Sequence, residues 1–434
     1  MQESFLHFIW QYQYFSREAL VSSTGEELKV LQQGMYNRQD AGPDFKGARL
    51  LLGELEWHGD VEIHLCSTDW ERHQHQLDPA YNSVVLHVVW EKDGEVKRKD
   101  GTELPQLALK DRVEEGLLQR YQQLMQSLYA IPCAPQFDKA DALARVSMLD
   151  KALLQRLKRK AEGLINWLKE AEGDWETVAY WLLAQNFGFK KNNEAFLALA
   201  QKLPLKLLAK HRNQPLQCEA LLFGMAGFLE STSTSTQTLD SYIQQLQQEW
   251  QFLGHKYGLA GRQMQRHEWK FLRMRPANFP SLRLAQLAAV LQAQPHVFSL
   301  FTGGKSVKEL LVQIRQPQSA YWQAHYDVQK ASKNKLPSLG LSSAQNLLIN
   351  TAAPLLAAYG LYLDDESWIE RAMQLLQELP AESNSIVEEW KELGLQPQHA
   401  FDSQGMLELY NEFCLPKKCL QCSIGLNLLK RSEA

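Results

Sequence analysis

Asp44 and the triplet Glu62-Ile63-His64 combine two carboxylates and an imidazole, flanked by Gly42-Pro43 and Gly59-Asp60. In a strand every second residue faces the same side, so Asp60, Glu62 and His64 share one face while Val61, Ile63 and Leu65 take the other. Two carboxylates meeting near one point favour a hard divalent cation, Mg²⁺ or Mn²⁺. Such an ion polarises a phosphate oxygen and lowers the pKa of bound water. A histidine beside it, with an unperturbed pKa of roughly 6.5, can orient that water or take its proton near neutrality. This is the chemistry of phosphodiester hydrolysis, with Asp44 and Glu62 as metal ligands and His64 as base. The bland alternative makes Gly42-Pro43-Asp44 a tight turn whose aspartate accepts backbone hydrogen bonds, with Glu62 and His64 on a solvated strand face.

Asp60, Asp69, His73, His75 and His87 form a possible additional site. Imidazoles at this density ligate Zn²⁺, Mn²⁺ or Fe²⁺, so a His-rich metallohydrolase acting on a small molecule is a rival to the nuclease. His87 lies among Val85, Leu86, Val88 and Val89, where a single histidine is more often a satisfied core residue. A catalytically silent binding or scaffold module is the third reading.

The elements that must position these residues follow from periodicity. Residues 4–17 place Phe5, Phe8, Ile9, Tyr12 and Phe15 on one helical stripe. β-rich runs at 27–32, 48–55, 61–65 and 83–90 read as strands, with a turn at Trp57-His58-Gly59, a short helix over 68–73 and a last hairpin at Asp100-Gly101. From residue 112 the pattern is helical, at 117–128, 142–168, 175–185, 194–202, 239–253 and 282–291. The expected class is α+β: an α/β domain over 1–110 and an all-helical domain over 111–434 that ends in a cysteine-rich segment. Residues 230–237 are a polar low-complexity run, read as an exposed loop.

The order helix, three strands, helix, strand, together with Pro43-Asp44 and Glu62-Ile63-His64, resembles the PD-(D/E)XK nuclease superfamily over about the first 90 residues. That resemblance implies a restriction-endonuclease-like domain in which both acids hold Mg²⁺, with His64 standing where lysine is usual. It also implies Glu3, on the first helix, as an extra acid, and nucleic acid as partner. Gly42-Pro43-Asp44-Phe45, Gly59-Asp60-Val61-Glu62-Ile63-His64, Asp69-Trp70, His73-x-His75, Tyr81-Asn82 and Leu86-His87-Val88-Val89 together resemble the bacterial domain of unknown function 2851 family, frequent in Bacteroidota. This second resemblance spans most of the chain and implies no activity.

With 434 residues, 45% of them hydrophobic, the chain can bury more than one core. Its net charge of −4 gives no global basic signature, so contact with nucleic acid has to come from a local patch. The N-terminus carries Glu3 early, with no basic n-region or small-residue cleavage site, and no uninterrupted apolar run approaches a span of about 18 residues. A cytoplasmic protein without membrane contact is expected.

Six cysteines in this length do not make a disulfide scaffold. Cys414, Cys419 and Cys422 can wrap a soft metal or cluster, Zn²⁺ or [4Fe–4S], with Cys133 the candidate fourth ligand. Cys66 and Cys218 read as structural. Arg273, Arg275, Asn278 and Arg283 sit around two prolines before a helix, where they can grip phosphate or pair with acids. The basic run at 156–160 reads as a solvated helix face.

Overall fold

The computed structural model describes residues 2–37, 41–230 and 240–430, so residues 231–237 of the polar run lie outside the described residues. Helix α1 (Glu3–Tyr12) is followed by strands β1 (Leu28–Gln32), β2 (Met35–Tyr36), β3 (Phe45–Leu52) and β4 (Leu55–Cys66). A short helix α2 (Asp69–Arg72) and two 3₁₀ turns lead to β5 (Val84–Glu91) and β6 (Gln106–Ala108). The sheet order is β1-β3-β4-β5-β6, with β2 also paired to β3. β3 is antiparallel to β1, β2 and β4, whereas β4, β5 and β6 run parallel. Parallel neighbours require a crossover. Residues 67–83 supply it between β4 and β5, and so bring His73 and His75 beside the strand that carries Glu62 and His64.

The β3–β4 turn falls at Gly53 and Glu54, whereas Trp57, His58 and Gly59 lie inside β4, with His58 opposite Arg49 and Gly59 opposite Ala48. Residues 55–58 are exposed, so this hairpin arm continues as strand beyond the core. A Cβ on Gly59 would stand 2.4 Å from Val85 Cγ1 and 2.5 Å from the Ser83 carbonyl oxygen, an approach only glycine permits. The β4–β5 register shifts between Asp60 and Val61, with the extra residue, Val85, on β5. Asp60 lies at that shift. Its carboxylate accepts from the Gly47 N–H at 2.9 Å and the Ser83 hydroxyl at 2.6 Å.

Helix α1 packs on β4, and its Phe5, Leu6, Phe8, Ile9 and Trp10 are buried. The sheet buries Phe45, Leu50, Val61, Ile63, Leu86 and Val88, each worth roughly 1.5–3 kcal/mol relative to exposure.

Contacts divide the chain into Met1–Met148 with Tyr410–Ala434, and Leu149–Leu409. The sequence pattern changes at residue 110, but the first unit also takes helix α3 (Glu115–Gln126) and the cysteine-rich end. The second unit is helical around a core that includes Leu183, Phe196, Phe223, Trp322 and Leu355. Its described strands are the short pair His325–Asp327 and Lys330–Ala331. One stretch, Leu341–Leu363, is long and apolar enough to cross a membrane by length and composition, but 67% of it is buried inside the fold. Asn346, Asn350 and Thr351 interrupt it, which is why it does not read as an uninterrupted apolar run.

The 156–160 run, on helix α4 (Ala142–Glu170), is a solvated face only in part: Lys158 and Arg159 are exposed, whereas Arg156 and Lys160 are half-buried. Arg156 and Arg159 pair with the fully buried Glu408, and the Lys160 ammonium donates to Asn350 Oδ1 at 2.9 Å. Burial, with Arg156 adding, pushes the Lys160 pKa down to about 7. Between about pH 7 and the unfolded value near 10.4 the unfolded chain binds a proton that the folded chain does not, so stability rises with pH there. Lys160→Met removes that slope. Unfolding free energies from urea titrations at pH 7 and pH 9 should converge in the variant and differ in the wild type by about 2 kcal/mol.

Candidate metal centre

Four side chains meet where β4 passes the crossover. The Glu62 Oε1 atom lies 3.6 Å from His64 Nε2 and 3.4 Å from His75 Nε2. His64 Nε2 lies 3.1 Å from His73 Nδ1. The ligand atoms of His64, His73 and His75 all fall within 4.8 Å of one another. An ion about 2.0–2.1 Å from nitrogen and oxygen ligands spaces them about 3.0–3.4 Å apart in octahedral or tetrahedral geometry. The His64–His73 and Glu62–His75 spacings fall in that range and the Glu62–His64 spacing just above it; three imidazoles with the Glu62 carboxylate beside two of them suit Zn²⁺, Mn²⁺ or Fe²⁺ better than Mg²⁺.

Local structure explains the convergence. Strand alternation puts Glu62 and His64 on one face. Gln74 takes a left-handed φ of 62° between His73 and His75, and this kink lets two near neighbours reach the same point. His64 is buried and His73 exposed, so the centre is enclosed on the sheet side and open at the crossover.

A second layer holds these ligands. His64 Nδ1 meets His87 Nε2 at 2.9 Å, with both rings buried. Glu62 Oε2 accepts the Asp44 N–H at 3.1 Å, and Asp44 Oδ2 accepts the Ile63 N–H at 3.0 Å. Asp44 Oδ2 also faces His7 Nε2 at 3.2 Å, while His7 Nδ1 meets the Tyr36 hydroxyl at 3.1 Å. Asp44 thus braces the Glu62 strand, as the turn reading expects, and carries a histidine as well. Burial, then the Asp44 charge, pushes the Glu62 carboxyl up to about 9. Burial pushes His64 down to about 2 and His87 down to about 3, with neighbouring imidazoles adding. Burial also raises the Glu3 carboxyl, with Asp44 adding and His7 and His73 opposing, so Glu3 borders the same centre.

Asp69 is not among the converging donors. Its Oδ2 accepts the Cys66 N–H at 3.2 Å and its Oδ1 pairs with Arg72 at 2.8 Å, which closes the turn into α2. His7 escapes a motif search, although Glu3 and His7 are four apart on α1 and therefore share a helix face. Tyr81 is a second such residue, stacked on His75 at 3.9 Å between ring centroids. A cleft of about 320 Å³ opens beside His75, lined by Trp70, Tyr81, Asn82, Arg98 and Lys99.

Cys133, Cys414, Cys419 and Cys422 are all 7% exposed, and all belong to the first unit. Cys133 precedes the 3₁₀ turn Ala134–Lys139, Cys414 ends the π-helical turn Tyr410–Cys414, and Cys419 and Cys422 bracket the turn Cys419–Gln421. Burial pushes the Cys133 thiol up to about 12, with Cys422 and Cys419 close enough to add. Cys218 donates to the His211 carbonyl at 3.2 Å and is structural.

The molecule is an α+β protein in which a mixed sheet and its crossover gather three histidines around a buried glutamate. It belongs to the family described as protein of unknown function (DUF2851), whose model matches residues 3–385. No curated protein and no solved structure matches the chain.

Proposed function

We propose that this protein is a metal-dependent hydrolase of phosphodiesters in DNA or RNA. The observation that carries the proposal is the convergence of the His64, His73 and His75 ligand atoms within 4.8 Å of one another, with Glu62 Oε1 3.4 Å from His75 and 3.6 Å from His64. These four residues would hold Zn²⁺, Mn²⁺ or Fe²⁺. Such an ion, when bound, supplies a Lewis acid for a phosphoryl oxygen and a water of lowered pKa.

The chain's own groups complete the assignment. His87 fixes the orientation of His64, the role of an outer hydrogen-bond partner. Asp44 orients His7, whose imidazole and the neighbouring Glu3 are the groups placed to receive a proton. The cleft beside His75 offers Arg98 and Lys99, with Asp100 next to them, for anionic oxygens, and Tyr81 for a planar base. This reading moves Asp44 from metal ligand to bracing residue and His64 from base to ligand.

The test is cleavage of labelled single-stranded DNA, double-stranded DNA and RNA by the whole protein, loaded separately with Zn²⁺, Mn²⁺, Fe²⁺ and Mg²⁺. Cleavage with a transition ion that chelator abolishes supports the assignment. A loaded protein that cleaves none of the three overturns the activity, leaving a binding or scaffold role or a small-molecule substrate.

The same reading gives the buried cysteines a structural centre, Zn²⁺ or [4Fe–4S] held by Cys133, Cys414, Cys419 and Cys422. Metal analysis of anaerobically purified protein should find iron with sulfide, or zinc, beyond the ion at Glu62. Cys422→Ser should lose that metal; equal content in both proteins sinks the idea.

A further inference from the structure

The helical unit has a cleft of about 460 Å³ whose charged lining residues are all cationic: Lys190, Lys191, Arg273, Arg275 and Arg283. Lys190, Lys191, Arg273 and Arg275 are exposed, while Arg283 is only 7% exposed. Among the described residues none of the five forms an ion pair with a carboxylate. Arginines that merely stabilise a fold are paired when buried, because an uncompensated buried charge is costly.

Arg283 departs from that rule. Its guanidinium donates to neutral oxygens only, Gln286 Oε1 at 3.0 Å, Asn278 Oδ1 at 2.7 Å and Ser343 Oγ at 3.4 Å. Its face lies 4.5 Å from the centre of the Phe189 ring. Its Nε is buried and has no hydrogen-bond partner. The side chain is held in one position, and the charge itself is left for something that enters the cleft.

The surrounding backbone is built for such an occupant. The cleft lies at the start of the helix Pro280–Ala293, whose first turn favours anions, and at the break around Asn192 in the segment Phe189–Lys202. Asn192 clamps the arginine segment to the first helix, donating to the Lys270 carbonyl at 3.0 Å and accepting the Lys270 N–H at 2.8 Å. Lys191 reaches the Arg273 carbonyl at 3.3 Å. Arg273 adopts a left-handed φ of 57° and Phe189 one of 48°, two strained residues held in place by these contacts. A Cβ on Gly188 would stand 2.3 Å from the Asn192 carbonyl oxygen, so only glycine permits this entry to the helix.

We infer that this cleft binds the phosphate group of a nucleotide unit, free or within an oligonucleotide, with Arg283 as the buried anchor and the four exposed cations around it. The half-buried Phe189, backed by the fully buried Phe187 and Phe196, gives an apolar surface that a phosphate alone does not need. The site belongs to the helical unit and stands whether or not the Glu62 centre hydrolyses anything.

Binding is read by fluorescence anisotropy of a labelled single-stranded oligonucleotide, competed with a mononucleotide and with inorganic phosphate, in chelator so that no cleavage occurs. Lys305→Gln, an exposed change outside both clefts, should bind as the wild type does. The exposed double variant Lys190→Gln/Arg275→Gln should bind at least tenfold more weakly with an unchanged melting temperature. Its salt slope should fall by about 0.7 for each phosphate that the variant no longer neutralises. Competition by the mononucleotide points to a free nucleotide as occupant, and competition by longer strands alone points to the oligonucleotide backbone. Arg283→Lys should weaken binding further while preserving charge, because lysine cannot present the fixed fork. No binding by any probe, or unchanged affinity in the double variant, overturns the site.

Discussion

Glu62→Ala is expected to abolish metal loading and to lower phosphodiester cleavage by about 10³-fold, which corresponds to losing roughly 4 kcal/mol of transition-state stabilisation. Glu62 is the only carboxylate among the four converging donors, and its Oε1 is shared between His64 and His75. His73→Ala should act almost as strongly, since its Nδ1 is 3.1 Å from His64 Nε2. His87→Phe keeps the four ligands and removes only the partner of His64 Nδ1. It should cost about 10–100-fold in metal affinity, the usual effect of an outer partner. The carboxylate-pair alternative ranks the variants differently. There Asp44→Ala would strip the metal as completely as Glu62→Ala, and His73→Ala would leave it in place. Equilibrium dialysis of each apo variant against Zn²⁺ and Mn²⁺ decides between the two orders without any activity measurement. Cleavage that survives in Glu62→Ala would remove the centre from catalysis altogether.

The strand that carries Glu62 and His64 was legible because alternation is a period-two property that depends on nothing distant. Asp60 shows the limit of that argument. Its carboxylate is taken up by the Gly47 N–H and the Ser83 hydroxyl, partners that the pairing of neighbouring strands supplies and that periodicity along one strand does not contain. The turn at Trp57-His58-Gly59 failed for a related reason. Gly59 is demanded by the close approach of Val85 rather than by a bend in its own chain. His73 and His75 were visible as candidates, but their alliance with Glu62 depends on the crossover and on the left-handed Gln74. His7 joined the site through helix packing on the sheet, and nothing in its own neighbourhood announced it. In the helical unit the basic run at 156–160 had the composition of a solvated face. Its partner, Glu408, is far along the chain, and long-range ion pairs leave no local trace in sequence.

Glu408→Ala is expected to destabilise the helical unit by about 3–5 kcal/mol, because it leaves partly buried arginine charge without its counter-ion. Glu408 is completely buried, its two oxygens accepting from Arg159 Nε at 3.1 Å and Nη2 at 2.6 Å, a bidentate pair. Arg156 adds Nη1 at 3.3 Å to the same carboxylate and donates its Nε to Gln404 at 2.6 Å. One acid therefore serves two guanidiniums from helix α4, with Lys160 a turn beyond. Removing either arginine should cost less than removing the acid, since the other still neutralises Glu408. The double change Arg156→Met/Glu408→Leu should recover part of the loss, as apolar replacement of a buried pair often does. Urea unfolding followed by far-ultraviolet circular dichroism checks this, since that signal is dominated by the helices. If Glu408→Ala shifts the midpoint no more than Arg156→Met does, the carboxylate is not the hub of the cluster.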